Sequence, residues 1–345
     1  MKMERILITG PGFCGCVENG LLTEYLQEDA SQQYGDIVGG TVERMMPGIG
    51  CAFVNIGRKK SGFLPMEEMS HSFEGEKLRS GMRIPVQIRK EETGNKGAFL
   101  TRDLTLAGRT VLLMPMNRHI GVSSRITDEG EQERLRETGK RIANGETGLV
   151  LRTAAQEAET AEIAEEVRCL AEEWQQICER IRAGYGNGEV LFHQDPVTQM
   201  IRDYESMGIQ GRTEAKELSA EMQRQLQEAE NRKVRIPNGG NIVIDRCEAM
   251  TVIDVNSASS RTEGGPEESY TEINLAACET IAAQIRLRNL GGIIMIDFID
   301  MKEDADRQKV ADCLAEMMKR DRRKTVMHGW TRLGIMEMTR KRTGG

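Results

Sequence analysis

Residues 234–260 read VRIPNGGNIVIDRCEAMTVIDVNSASS. Two apolar segments flank a Pro-Asn-Gly-Gly turn, the pattern of two tightly joined strands. The second segment ends in Asp254 and Asn256, which are two residues apart and so share one face of the strand. Downstream, NLAACETIAAQIRLRNL (274–290) reads as a helix. GGIIMIDFIDM (291–301) reads as a strand apolar enough to be buried on both faces. Asp297 emerges at the end of that apolar run, with Asp300 three residues on. A second helix is expected over 302–323. Strands alternating with helices make this part of the chain α/β.

Two strands that end in acids raise a chemical question. An ionised carboxylate among Ile and Met side chains is costly unless it is paired or bound to a cation. Magnesium takes one or two carboxylates, keeps several waters and binds a substrate phosphate. Asp254 and Asp297 on adjacent strands fit that pattern. The alternative is that each acid caps a helix or pairs with an arginine, and the residues alone leave both readings open. Other chemistries find little support. The four histidines (His71, His119, His193, His328) form no H-x-x-x-H and no Cys/His cluster. Neither G-x-S-x-G nor G-x-x-x-x-G-K-[ST] occurs.

Working outward, residues 36–102 read as short strands with Gly-rich turns, the signature of a small barrel. Residues 128–183 are mainly helical, with Ile163, Val167, Leu170 and Trp174 on one face. GETGLVLRTAA (145–155) interrupts them as a strand with a turn. A polar helix is expected over 212–233, with Leu218, Met222 and Leu226 on one stripe. Near the start, ILITGPGFCG (6–15) spells G-x-G-x-x-G after an apolar run, the outline of a dinucleotide-binding turn. Pro11 removes an N–H that such a turn uses, and VENGLL continues it poorly as a long helix. No nicotinamide or flavin nucleotide is therefore expected.

The 345 residues suffice for two or three domains, and 39% hydrophobic residues for a real core. Aromatics at 4% argue against a large aromatic-rich sandwich. The net charge of −7 argues against simple adhesion to nucleic acid, but the charge is uneven. Residues 319–342 carry nine Lys or Arg against Asp321 and Glu337. The eight cysteines include no C-x-x-C and read as reduced, mostly buried thiols. No signal peptide and no run of 18 apolar residues occurs, so a soluble, cytoplasmic chain is expected, with no membrane-spanning segment.

The region 234–260, with residues 274–301 and RLGIMEMTRKR (332–342), resembles the catalytic region of the RNase E/G family of bacterial endoribonucleases. GTVERMMPGIGCAFVNIGRKKSGFLP (40–65) and GNKGAFLTRDLTLAGRTVLLMP (94–115) resemble the family's inserted OB-fold domain and the segment after it. GLVLRTAA (148–155) resembles its sensor of RNA 5′ ends. The resemblance implies a multidomain α/β (α+β) chain. Its parts are a reduced RNase H-like subdomain (1–34 and 193–233), an OB-fold β-barrel (35–102), a 5′-end sensor segment (103–192) and a DNase I-like catalytic domain (234–345).

The resemblance also implies roles. Asp254 and Asp297 fall on the two magnesium-binding aspartates, and Asn256 on the asparagine beside the metal. Phe53, Phe63 and Lys96 fall on OB-fold residues that hold single-stranded RNA, whereas the two phenylalanines read by themselves as core residues. Arg152 and Thr153 fall on the pair that receives a 5′-monophosphate, with Arg125 a candidate second arginine in a register shared with Ser124. Arg332, in the basic C-terminal stretch, is expected to contact RNA backbone, a solvated basic face being the alternative. The implied activity is Mg2+-dependent endonucleolytic cleavage of single-stranded RNA in processing or decay, leaving a 5′-phosphate and a 3′-hydroxyl. A non-catalytic RNA-binding protein and a DNA nuclease are the competing readings. Family members form dimers through a zinc held by a C-P-x-C motif after the MTRKR-like segment. Residues 343–345 bring no such motif, so a monomer or a weak homodimer without structural zinc is expected.

Overall fold

The computed structural model describes residues 4–28, 34–69, 78–92, 96–156, 158–209, 211–237, 239–257 and 266–341. The chain divides into two compact units, Met1–Gln27 with Gly211–Thr343, and Glu28–Gln210 with Gly344–Gly345.

The first unit begins with a three-stranded meander, β1 (Arg5–Gly10), β2 (Phe13–Glu18) and β3 (Leu21–Gln27). Pro11 and Gly12 turn β1 antiparallel onto β2, with Gly12 at φ 71°. That is the Pro-Gly pattern of a type II turn, which needs a residue free to adopt positive φ. Asn19 and Gly20, both at positive φ, make the next hairpin. The glycine-rich run near the start thus turns strand into strand, where a dinucleotide turn leads from strand into helix.

The second unit carries a five-stranded closed barrel. Its strands are β4 (Ile37–Met46), β5 (Cys51–Asn55), β6 (Gly62–Pro65), β7 (Arg83–Lys90) and β8 (Phe99–Thr101). They run in the order β4-β5-β6-β8-β7, and β7 closes the ring against β4. Alternation places Val42, Ala52, Val54, Leu64, Val86 and Leu100 in the barrel core.

Beside the barrel sequence lie β9 (Leu106–Ala107), β10 (Val111–Met114), β11 (Ile120–Val122), α1 (Glu129–Ala143), β12 (Gly148–Leu151), α2 (Thr160–Ala183), β13 (Val190–Phe192) and α3 (Pro196–Glu205). Strands β11, β12, β10 and β9 form one sheet, and β13 joins β4 of the barrel. The expected face of α2 is the buried one: Ile163, Val167 and Leu170 pack with Leu113, Leu149 and Leu151, and Trp174 is half-buried against them. The N-cap Asp128 accepts from Glu131 N at 2.7 Å to start α1, and Asp195 caps α3 ahead of Pro196.

The rest of the first unit follows: β14 (Gly211–Glu214), α4 (Ala220–Glu228), β15 (Lys233–Arg235), β16 (Asn241–Arg246), β17 (Met250–Asn256), α5 (Pro266–Leu287), β18 (Gly292–Asp297), α6 (Asp304–Met318), β19 (Thr325–Trp330) and β20 (Met336–Arg340). The polar helix expected over 212–233 is shorter. Its beginning is instead β14, an edge strand parallel to β1, and α4 starts only after the Ser219 cap. A six-stranded mixed sheet has the order β15-β16-β17-β18-β20-β19. Strands β17 and β18 are parallel, joined through α5. Ile253, Val255, Ile294, Ile296, Met336 and Met338 form its buried face with α5 and α6. The strand at 292–297, expected to be buried on both faces, is buried on one: Ile293 is 45% exposed and Met295 half-buried. Helices α5 and α6 cover only the face of Ile294 and Ile296.

Candidate active site

Register decides the site. Asp254, near the end of β17, is paired directly with Asp297 at the end of β18. Neighbouring parallel strands lie about 4.8 Å apart, and paired residues project to the same face. Both carboxylates stand on the face opposite the helices, since their neighbours Ile253, Val255 and Ile296 are buried. Asn256, two residues along the same face, donates Nδ2–H to Asp254 Oδ2 at 2.7 Å. That bond fixes one oxygen of Asp254 and leaves the other unclaimed by Asn256. Partial desolvation at the sheet face, then the charges of Asp254 and of Asp300, push the carboxyl of the otherwise exposed Asp297 above its usual range. The cluster is held against its own repulsion, a state that a cation relieves.

The donor set suits a hard cation. It consists of two carboxylates and an amide, all presenting oxygen, with no thiolate or imidazole among them. Among the described residues no group of three or more His, Cys, Asp or Glu is placed to hold a metal. Two carboxylates match an ion that keeps most of its waters, as magnesium does.

On the barrel, Phe53 of β5 is register-paired with Phe63 of β6. Both are half-buried while their chain neighbours Ala52, Val54, Gly62 and Leu64 are buried, so their rings lie on the outer face. The centroids are 6.2 Å apart at 72°. Phe99 of β8 is paired with Phe63 and continues the row, with centroids 5.8 Å apart. Lys96 is exposed, just before β8. Arg332 is exposed in the turn between β19 and β20.

The residues expected to sense a 5′ end separate. Thr153 lines a cleft of about 320 Å³ together with Arg109, Gln156 and the segment Glu205–Ile209. Its hydroxyl is 3.2 Å from Ser123 Oγ. Arg152, next to it in sequence, donates one terminal nitrogen to Gly108 O and the other to the Asp203 carboxylate, and is only 13% exposed. Arg125 is exposed, and its backbone N–H donates to Ser123 Oγ at 3.3 Å.

Comparison with known proteins decides the relationship. Residues 105–217 and 210–343 match the sequence profile of the Ribonuclease E/G family. The chain belongs to that family. Residues 31–103 match the S1 RNA binding domain, which covers the five-stranded barrel. Ribonuclease G of Haemophilus influenzae is 34% identical across 95% of this chain and 76% of its own length. Ribonuclease G of Escherichia coli K12 is 32% identical across 95% and 77%. Ribonuclease E of a Nostoc species is 31% identical across 94% of this chain and 53% of its own length.

Within this Ribonuclease E/G chain, two groups of residues that gave no signal in sequence brace the elements around Asp254 and Asp297. Asn274 of α5 is fully buried; its Nδ2–H donates to Ile299 O at 2.8 Å and its Oδ1 accepts from Ile299 N at 3.0 Å. It thereby anchors the segment between Asp297 and Asp300. Glu18 of β2 receives both terminal nitrogens of Arg286 of α5 at 2.6 and 3.0 Å, with Arg5 Nε 3.0 Å away. Burial alone raises the Glu18 carboxyl, but the Arg286 hydrogen bonds and the charges of Arg286, Arg5 and Arg320 hold it below its ordinary range. This buried cluster ties the helix that connects the two acid-bearing strands to the N-terminal meander. All eight cysteines are free; Cys14, Cys16, Cys51 and Cys278 are buried, while Cys169 and Cys247 are exposed.

Proposed function

We propose that this member of the Ribonuclease E/G family is a magnesium-dependent endoribonuclease that cuts single-stranded RNA and leaves a 5′-phosphate and a 3′-hydroxyl. The observation that carries the reading is the register-paired Asp254 and Asp297, with Asn256 hydrogen-bonded to Asp254. These two carboxylates would hold the cation. When bound, a divalent cation supplies charge neutralisation for a scissile phosphodiester and makes an attacking water more acidic. Asn256 keeps Asp254 turned, and Asn274 keeps the chain after Asp297 in place. Phe53 and Phe63 stack on bases, and Lys96 and Arg332 meet phosphates. The mixed sheet with α5 and α6 is read as the DNase I-like half of the catalytic region, and the β1–β3 meander with β14 and α4 as a reduced RNase H-like subdomain.

The 5′-monophosphate reading rests on the cleft at Thr153, where Arg109 supplies an accessible cation. Arg152 is already held by Gly108 O and Asp203, so a terminal phosphate would have to compete with those bonds for it. The test is cleavage of one unstructured oligoribonucleotide carrying a 5′-monophosphate, 5′-hydroxyl or 5′-triphosphate, in magnesium and in chelator, beside a DNA of the same sequence. Cleavage of RNA alone, in magnesium alone and fastest on the monophosphate, is expected. Binding without cleavage would leave a non-catalytic RNA-binding protein.

A further inference from the structure

Aromatic residues make up only 4% of this chain, yet three of its seven phenylalanines stand in a row on the outside of one small barrel. The row runs across neighbouring strands β5, β6 and β8 through the direct register pairs Phe53–Phe63 and Phe63–Phe99. Phe99 is half-buried between the buried Ala98 and Leu100, so its ring is outside the barrel core, as those of Phe53 and Phe63 are. An exposed cation flanks each end: the Arg44 guanidinium lies 5.8 Å from the Phe53 centroid, and the Lys90 ammonium 5.4 Å from that of Phe99.

A half-buried ring on the outer face leaves part of its apolar surface in water, which a ligand can cover. The combination of rings in line with cations alongside is what a single strand of nucleic acid requires: π-faces for bases and positive charge for phosphates. The centroid steps of 6.2 and 5.8 Å exceed the rise of about 3.4 Å between stacked bases. That spacing leaves room for each ring to take its own base on an extended strand, and a third ring adds a third position.

We propose that Phe99 is a third base-stacking position, so that the barrel holds a three-base track Phe53–Phe63–Phe99 with Arg44 and Lys90 at its two ends. This rests on the reading of the barrel as an RNA-binding surface.

The test is binding of labelled oligoadenylates of increasing length, in chelator so that nothing is cut, to the full chain and to Phe99→Ala, Phe99→Trp and Phe53→Ala. Phe99→Ala should bind long oligomers about 5- to 150-fold more weakly, the range for loss of one base–aromatic stack. Its affinity should also stop rising with length about one nucleotide earlier than that of the wild type. Phe99→Trp should keep wild-type affinity, and its added tryptophan emission, read as the difference from wild type, should be quenched by RNA. Wild-type affinity of Phe99→Ala at every length, or unquenched emission from Phe99→Trp, overturns the third position even where Phe53→Ala weakens binding. If Phe53→Ala also binds as the wild type does, the RNA-binding reading of the barrel falls as well, which distinguishes the two failures.

Discussion

Replacing Asp297 by Asn removes one of two like charges that share a register position. A structural carboxylate stabilises its protein, whereas a carboxylate held for a cation destabilises the metal-free fold. The substitution separates the two through stability as well as activity. Carboxylates on neighbouring parallel strands are about 5–6 Å apart, and their repulsion is about 0.8 kcal/mol at the dielectric of water and about 3 kcal/mol at an effective dielectric of 20. Asp297 is exposed, so solvent screening puts the figure near the lower end. Asp297→Asn should therefore gain about 0.5–1 kcal/mol in chelator, a rise in Tm of about 1–4 °C. Magnesium at ten times its dissociation constant should stabilise the wild type by about 1.4 kcal/mol and leave the variant unmoved. Cleavage by the variant should be lost while RNA binding persists. Scanning calorimetry with chelator and with magnesium, next to a cleavage time course, reads all three. A variant that melts several degrees below wild type in chelator, or that cuts RNA at near the wild-type rate, refutes the reasoning.

Asn274→Leu leaves both backbone groups of Ile299 without their partner, so it should cost about 1–3 kcal/mol of stability. Its kcat should fall further than that of a core variant of equal Tm, because the segment it anchors carries the acids. Asp203→Asn loosens the hold on Arg152. If Arg152 receives a 5′-phosphate, the rate advantage of monophosphorylated RNA should grow; a drop in Tm with no change in that advantage makes Arg152 a structural strut. The Glu18 carboxyl is held below its ordinary value of 4.5, so its contribution is complete above that pH and is lost as pH falls through the folded value. Glu18→Gln should cost about 3–5 kcal/mol at neutral pH, and urea unfolding should show a flatter loss of stability below about pH 4.5 than in wild type.

The parts of this chain that could be read from sequence are those whose signal is local. Asp254 and Asp297 stood out because each ends an apolar strand, and a charge there needs a reason that no neighbour in sequence provides. The face of α2 was legible because Ile163, Val167 and Leu170 repeat at helical spacing. What sequence withheld is pairing across distance. Gly211–Glu214 is exposed throughout, so it carries no alternation; only the ladder to β1 makes it a strand. The run GIIMID is uniformly apolar, and nothing in it tells that helices cover only the side of Ile294 and Ile296. Phe99, read alone after GNKGA, is as good a core residue as Leu100 beside it. Its place in a row of rings depends on β6 and β8 meeting in parallel at Phe63.

The same limit applies to the residues expected to sense a 5′ end. An Arg-Thr pair alone is a weak signal of a phosphate site, although a guanidinium and a hydroxyl both donate; the expectation comes from the family resemblance. Whether the arginine is available depends on what else the fold offers it. Asp203 lies 51 residues later, on a helix whose docking no local pattern announces, and it occupies one end of Arg152 while Gly108 O takes the other. Arg109 reaches the cleft instead, and its ion pair with Glu162 is long at 3.7 Å and solvent-exposed on both sides. Such a pair contributes little and is readily exchanged for a phosphate, whereas the half-buried Arg152–Asp203 bond is not. The geometry therefore favours Arg109, which nothing in the sequence singled out, over Arg152 as the available cation, and Arg109→Ala should weaken any 5′-phosphate preference more than Arg152→Lys does.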